Sequence, residues 1–428
     1  MKPVFLILSL IVQSLISCAQ KADDIFNAKE IERIERTLAS DEMQGREAGK
    51  PGSEKAAQFI ASEFKKAGLL TLNKAADYLQ PFKLVQSKLL EVKGEINDAE
   101  LDSKKIFVLT TTPDLEVDEK SGYEFKTIPA GANMMQAAYN IINEGKKIVV
   151  FVDESYAANF SRLNRFVRPV FESESSTVFI LSNITAPQKF KIKAKHTIDK
   201  IGMANVVGIL PGKTKPAEYV IFSAHYDHLG IGKPENGDSI YNGANDDAAG
   251  TTAVIMLANY FKKLNNNSRT LVFATFTAEE SGGFGSQYFS KQFNPEQVVA
   301  MFNIEMIGTE SKWGKNSAYM TGYEKTNMGK ILQENLKGTS FTFHPDPYPE
   351  QDLFYRSDNA TLARLGVPAH TISTSKMDSE KYYHTVGDEI ETLDMNNMAA
   401  IVKAIAESSK TIVAGKDTPT RVEAKDLR

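Results

Sequence analysis

The chain reads as an α/β protein with a mostly parallel central sheet flanked by helices, and three observations carry that expectation. Short apolar runs rich in β-branched residues, Tyr219 to Ala224, Leu271 to Phe276 and Val298 to Phe302, alternate with stretches of helical spacing. That alternation favours parallel strands joined by crossover helices. Each run also stops abruptly at residue types that bind metal: His225-Tyr226-Asp227-His228 after the first, Glu279-Glu280 after the second, and Asn303-Ile304-Glu305 after the third. Ligands of such sheets gather at the carboxyl ends of the strands, so all three clusters point to one site.

Singly these clusters are commonplace, since a His-x-Asp or a pair of glutamates is usually a solvated surface feature. Together, one histidine, one aspartate and two glutamates supply imidazole and carboxylate ligands suited to zinc, with a carboxylate to spare. Asp227, two residues beyond His225, is placed to orient that imidazole from behind, as metal-bound histidines generally require.

The stretches Ala224 to Gly230, Gly243 to Gly250, Thr277 to Ser286, Asn303 to Gly308 and Tyr383 to Asp388 resemble the M28 family of zinc peptidases, which includes bacterial aminopeptidases. The motifs fall in the family's order over about half of the chain. The resemblance implies two zinc ions held by His225, Asp246 as the bridge, Glu280, Glu305 and His384, with Glu279 as general base. Glu305 departs from the pattern, because the family usually has aspartate there. One extra methylene moves the carboxylate by about 1.5 Å, which bears on the second metal position rather than on the fold.

At the amino terminus, Met1-Lys2 precedes a mainly apolar run from Val4 to Ile16, shorter than the ~20 residues a membrane-crossing helix needs. It reads as a secretory signal. Leu15-Ile16-Ser17-Cys18 looks like the lipobox of bacterial lipoproteins, so residues 1–17 are expected to be a lipoprotein-type signal peptide and Cys18 the lipidated residue. Cys18 is the only cysteine in 428 residues, so an internal disulfide is impossible and lipidation explains its isolation. The expected location is therefore exported and membrane-anchored, in the periplasm or at the cell surface, with a peptide as substrate. With 50 basic against 54 acidic residues, a formal net charge of -4 and no basic tract, nucleic acid is excluded as a partner.

A Gly-rich loop from Asp41 to Gly52 leads through Ser53, a candidate N-cap, into a helix from Glu54 to Ala67 that Gly68 should stop. This stretch is also similar to the start of M28 catalytic domains, so residues 18–84 and 201–415 are expected to form one discontinuous catalytic domain. The intervening 85–200 is too long for a structureless loop. Apolar runs at Phe107, Ile148 to Val152 and Val178 to Leu181, with a helical stretch near Met134, predict a small β-rich insert, similar in position and length to a protease-associated domain. Ala253, Val254, Leu257, Phe261 and Leu264 form a helical stripe that should pack the sheet behind Asp246. Gly282, Gly283 and Gly285 form a turn rather than a dinucleotide loop, because the preceding acids would repel phosphate. Arg356 and Asp358 either reach the cleft or pair with each other. Asn359 stands where family members often have histidine. Asp388 is expected to support His384, whereas His196, His228, His344 and His370 are read as ordinary surface or core histidines, and residues 416–428 as a frayed polar tail.

The expected activity is that of a di-zinc aminopeptidase, in which two ions hold and acidify a water, Glu279 takes its proton and Tyr383 donates a hydrogen bond to the oxyanion, as some relatives suggest. Three other readings compete: a glutaminyl-cyclase-like enzyme with one zinc, a di-zinc carboxypeptidase or aminoacylase, and a binding protein of the same fold without chemistry.

Overall fold

Residues 24–427, apart from 186 and 236, are described by the computed structural model. The apolar leader and Cys18 lie outside the described residues. The chain forms two compact units, one made of residues up to 82 together with those from 203 onward, the other of Lys83–Gly202.

Helices α1 (Ala28–Leu38) and α2 (Pro51–Ala67) precede the long strand β1 (Leu79–Ile96). Next come β2 (Ile106–Thr110), β3 (Glu124–Ile128), α3 (Met134–Ile142), β4 (Lys147–Val152), β5 (Ser176–Leu181) and the long β6 (Phe190–Leu210). The first unit continues with β7 (Lys215–His225), α4 (Ala249–Leu264), β8 (Arg269–Phe276), α5 (Phe284–Ser290), β9 (Val298–Ile304) and β10 (Ser317–Met320). It ends with α6 (Met328–Asn335), β11 (Thr342–Pro345), α7 (Asn359–Ala363), β12 (Ala369–Ser373) and α8 (Met395–Val413). The unit boundaries fall inside β1 and β6.

The central sheet has the order β11-β10-β12-β9-β7-β8-β6-β1. Its middle is parallel, β8 beside β7, β7 beside β9 and β9 beside β12, while β6 runs antiparallel to β8 and β10 antiparallel to β12. Polarity thus reverses only towards the flanks, and the carboxyl ends of β7, β8 and β9 open on the same edge. β8 and β9 are buried along their whole length and β7 from Val220 to His225, which is why they read as continuous apolar runs instead of alternating ones. Phe222 of β7 stacks on Phe273 of β8, Phe302 of β9 and Phe261 of α4, with ring centroids 5.7, 5.0 and 5.3 Å away. The stripe of α4 is core, as its spacing indicated, and it fixes the loop before the helix.

Two local expectations need correction. Helix α2 starts at Pro51, with Lys50 as N-cap. Proline suits that first position because its missing N–H has no intrahelical partner there and its φ is already helical. Ser53 is not the cap, since its hydroxyl donates back to the Lys50 carbonyl at 2.9 Å. The stop at Gly68 stands, with a left-handed φ of 75°. The second correction concerns the end of the chain, which is packed. Buried Arg269 donates to the carbonyls of Ile412 and Asp417 and to the Thr418 hydroxyl, each at 2.6 Å. Arg421 donates to the carbonyls of Pro295 and Val298, and Val422 is buried. These anchors are side chains distant in sequence, invisible to a local reading of polarity.

In the Lys83–Gly202 unit a four-stranded sheet has the order β2-β5-β4-β3. Successive side chains of each strand point to opposite faces. Ile148 and Val150 therefore pack with Met134, Ala138 and Ile141 of α3, while Val149 and Phe151 pack with Phe190, Ile192 and Ala194 of β6.

Candidate metal centre

His225 is the last residue of β7, Glu279 and Glu280 follow β8, and Glu305 follows β9. Asp246 lies in the loop that opens α4, entered through Gly243 at a φ of 54°. A Cβ at Gly243 would meet the Asp246 carbonyl oxygen at 2.3 Å, so only glycine fits. The Asp388 carboxylate accepts from the backbone N–H of Asn245 at 2.8 Å and of Asp246 at 3.0 Å, fixing this loop from the other side. Asp388 therefore supports Asp246 directly, and not His384 as expected from sequence. Asp247, joined to Asp246 by a cis peptide, accepts from the N–H groups of Gly250, Met306 and His225. One buried carboxylate thus ties three ligand-bearing segments together.

The side chains converge on Asp246, and its two oxygens face different partners. Oδ1 is 3.3 Å from His225 Nε2, whereas Oδ2 is 3.3 Å from His384 Nε2 and 3.8 Å from His228 Nδ1. Glu280 Oε1 lies 3.2 Å from His384 Nε2 and 2.9 Å from His228 Nδ1. Asp227 sits behind His225, but Nδ1 is closer to its backbone carbonyl (3.1 Å) than to its carboxylate (3.8 Å). The carboxylate instead accepts the Glu279 N–H at 3.1 Å, so Asp227 links the β7 and β8 ends. Tyr383 stacks on the His384 ring at 3.9 Å between centroids and lines a small recess with Glu305 and Arg356.

Charge in this site is strongly coupled. Burial pushes Asp246 up, but the neighbouring imidazoles of His225, His384 and His228 outweigh it and hold Asp246 below the ordinary range. Burial pulls His384 down, and Asp246 and Glu280 together raise it to about 10. Glu279 is driven well above a normal carboxylate, first by burial and then by repulsion from Asp358, Glu305 and Glu280, with His225 opposing. Burial likewise lifts Glu305 to about 7.

The structure also brings in one residue that was read as ordinary and one that was not singled out. His228, taken as a surface or core histidine, is buried against Glu280 and Asp246; its signal was the spacing of three from His225, which turns both imidazoles toward one site once the strand ends. Arg46, in the Gly-rich loop, is fully buried and donates to the carbonyls of Tyr226, Leu38 and Asn242 at 2.6 Å and of Gly243 at 2.8 Å. It clamps the β7 end to the Asp246 loop. Arg356 and Asp358 do not pair: Arg356 is exposed, while Asp358 is buried with neither carboxylate oxygen hydrogen-bonded among the described residues. The other histidines stay outside this centre, His344 stacked on Trp313 and His370 bonded to Thr321 and Thr326.

A cation fits this donor set. Among the described residues, His384 Nε2 and Glu305 Oε2 are buried without a hydrogen-bond partner, and an orphaned polar atom of that kind is costly unless something else engages it. Three imidazoles and several carboxylates around one central aspartate are the ligand types of a borderline divalent ion such as zinc. A mixed α/β sheet with this cluster at its strand ends defines a metal-dependent hydrolase. Residues 205–409 match the model of peptidase family M28.

Among curated relatives, a probable leucine aminopeptidase of Arthroderma otae is 27% identical over 268 residues, covering 59% of this chain and 70% of that protein. Another from Trichophyton verrucosum is 26% identical over 308 residues, covering 68% and 79%. Among solved structures, a zinc aminopeptidase from Bacillus subtilis has a TM-score of 0.55 at 17% identity, with 92% of this chain and 97% of that one covered. An aminopeptidase from Aneurinibacillus sp. strain AM-1 has a TM-score of 0.54 at 18% identity, covering 91% and 95%. At those identities the structural likeness speaks for the fold.

Proposed function

We propose that this protein is an aminopeptidase that uses two zinc ions to hydrolyse the first peptide bond of a peptide substrate. The observation that carries the reading is the split of Asp246, whose Oδ1 faces His225 and whose Oδ2 faces His384. His225 and Glu305 would hold one ion, Glu280 and His384 the other, and Asp246 both. The names of the relatives support the substrate class. Bound zinc supplies Lewis acidity toward the scissile carbonyl and lowers the pKa of the attacking water.

The protein's own groups do the rest. Glu279, raised by burial and by its acidic neighbours, takes a proton from the attacking water as the new C–O bond forms. It delivers that proton to the leaving amine as the C–N bond breaks. Asp227 holds the Glu279 backbone in place through its N–H. His228 fixes the orientation of Glu280. The Tyr383 hydroxyl donates to the oxyanion, its ring held by the stack on His384.

Metal analysis of soluble protein made from about Gln20 onward, together with a panel of free aminoacyl, N-acylated and carboxyl-terminal reporter substrates, tests this reading. Two zinc ions per chain and cleavage confined to substrates with a free amino end are expected. A single ion with cyclisation of amino-terminal glutamine would replace the peptidase with an acyl-transfer enzyme, and cleavage of acylated substrates would make it an aminoacylase.

In the same reading the protein is exported and tethered to a membrane by lipid on Cys18, supported by the leader sequence and by the isolation of that cysteine. Cys18→Ser is expected to abolish incorporation of labelled fatty acid and release the protein from the membrane fraction. Unchanged labelling and fractionation would remove the anchor from the account.

A further inference from the structure

The Lys83–Gly202 unit contains a cavity of about 750 Å³, lined wholly by its own residues, a size that suits a bound molecule. Two features of its walls single it out. The first is His196, on the inward face of β6, where every second residue from Phe190 is buried. Phe190, Ile192 and Ala194 fill that face with apolar contacts. His196 continues it into the cavity, 6% exposed and, among the described residues, with neither ring nitrogen hydrogen-bonded. Burial pulls its pKa below the ordinary histidine value, leaving a neutral ring with one donor and one acceptor, both unused. A buried polar group of that kind costs about 1–3 kcal/mol when left unsatisfied, which an apolar residue in the same place would avoid.

The second feature is the shape of the opening. Phe107, Val108, Leu109, Thr110 and Thr111 all line the cavity in unbroken succession. Alternate residues of a strand point to opposite faces, so a cavity on one face would touch every second residue only. The run, with Ser175 and, in β5, Ser176 and Thr177 also in the lining, means that the cavity reaches both faces of the sheet at β2 instead of one. That strand pairs with β5 on one side and, among the described residues, with no strand on the other. The backbone N–H and C=O groups of that outer side have no strand partner among the described residues, and the strand is a template for a further one. Large apolar side chains stand exposed around the mouth: Leu89 is 41%, Tyr139 48% and Val167 39% exposed.

We infer that this unit binds an extended peptide segment as an added strand along the free edge of β2, with one of its polar groups hydrogen-bonded to His196. Strand addition takes affinity from the main chain and selectivity from pockets for alternate side chains. At about 3.3 Å per residue, the five residues of β2 accommodate a segment of similar length. Leu89, Tyr139 and Val167 favour aliphatic or aromatic residues at alternate positions. A compact small molecule would account for the pocket volume but not for a cavity that reaches both faces of the sheet at β2.

The test uses the full soluble chain and a pool of N-acetylated hexapeptides with aliphatic or aromatic residues at alternate positions, the acetyl group keeping them from acting as aminopeptidase substrates. Wild-type protein is expected to retain a subset of the pool, identified by mass spectrometry, and His196→Leu to bind those peptides at least tenfold more weakly while keeping its melting temperature. N-methylation of a retained peptide, one amide at a time, should weaken binding at least tenfold at every second position and leave the positions between unaffected. Retention equal in wild type and His196→Leu overturns the inference, as does an N-methyl series without alternation. Saturable binding of 1-anilinonaphthalene-8-sulfonate that no retained peptide displaces would make the cavity a small-molecule site instead.

Discussion

Glu279→Gln is expected to lose about 10²- to 10⁴-fold in turnover, the usual scale for removal of a general base, while keeping its full complement of metal. Glutamine preserves the shape and the Glu279 N–H to Asp227 link, but its amide cannot accept the water's proton. Glu280→Gln should behave differently. Glu280 stands 3.2 Å from His384 and 2.9 Å from His228, at the centre of the donor cluster, so an amide there should reduce both bound metal and activity. Parallel zinc quantification and rate measurement on the two variants test the assignment through this asymmetry. If Glu279→Gln sheds metal and Glu280→Gln retains it, the roles are reversed; full activity in both would move the catalytic site elsewhere.

Arg46→Met should be among the most destabilising single changes in the chain. Four carbonyl oxygens accept from this one guanidinium. Its charge also acts on buried Glu35, whose pKa burial raises to about 8 even though Thr252 and Arg46 oppose the rise. Removing one partner from a buried, hydrogen-bonded charge cluster costs about 3–5 kcal/mol. Urea unfolding should show a lower midpoint with an unchanged slope. Because Arg46 joins the β7 end to the Asp246 loop, zinc affinity should fall as well. Arg46→Lys, with three donors for four acceptors, should lie between the two. A methionine variant that unfolds at the wild-type urea concentration would show that the clamp contributes little.

Legibility from sequence followed how local each determinant is. The strands carrying His225, Glu279 and Glu305 are buried on both faces, so they appear as apolar runs, and their ends are marked by the first residues that cannot be buried without partners. That physics is local, and the ligand positions follow from it. Asp246 and His384 lie in loops, where no periodicity marks them; their motifs indicated them through family resemblance alone. His228 and the end of the chain were misread, and Arg46 was not singled out, because their partners, Glu280, Arg269 and four backbone carbonyls, are distant in sequence.

The sequence by itself determined the α/β class, the parallel middle of the sheet and the edge at which chemistry gathers, because strand burial, turn residues and polar strand ends are written into short windows. It also indicated a β-rich segment between the two parts of the larger unit. Only the tertiary structure decided that Asp246 presents its two oxygens to different imidazoles, that Asp227 holds the Glu279 backbone as well as backing His225, and that His196 faces a cavity. The physical reason is the same in each case: direction. A residue's type and spacing state which groups are available, but the direction in which a loop side chain points depends on backbone angles and on contacts with residues far away in the chain, and these exist only once the sheet has assembled.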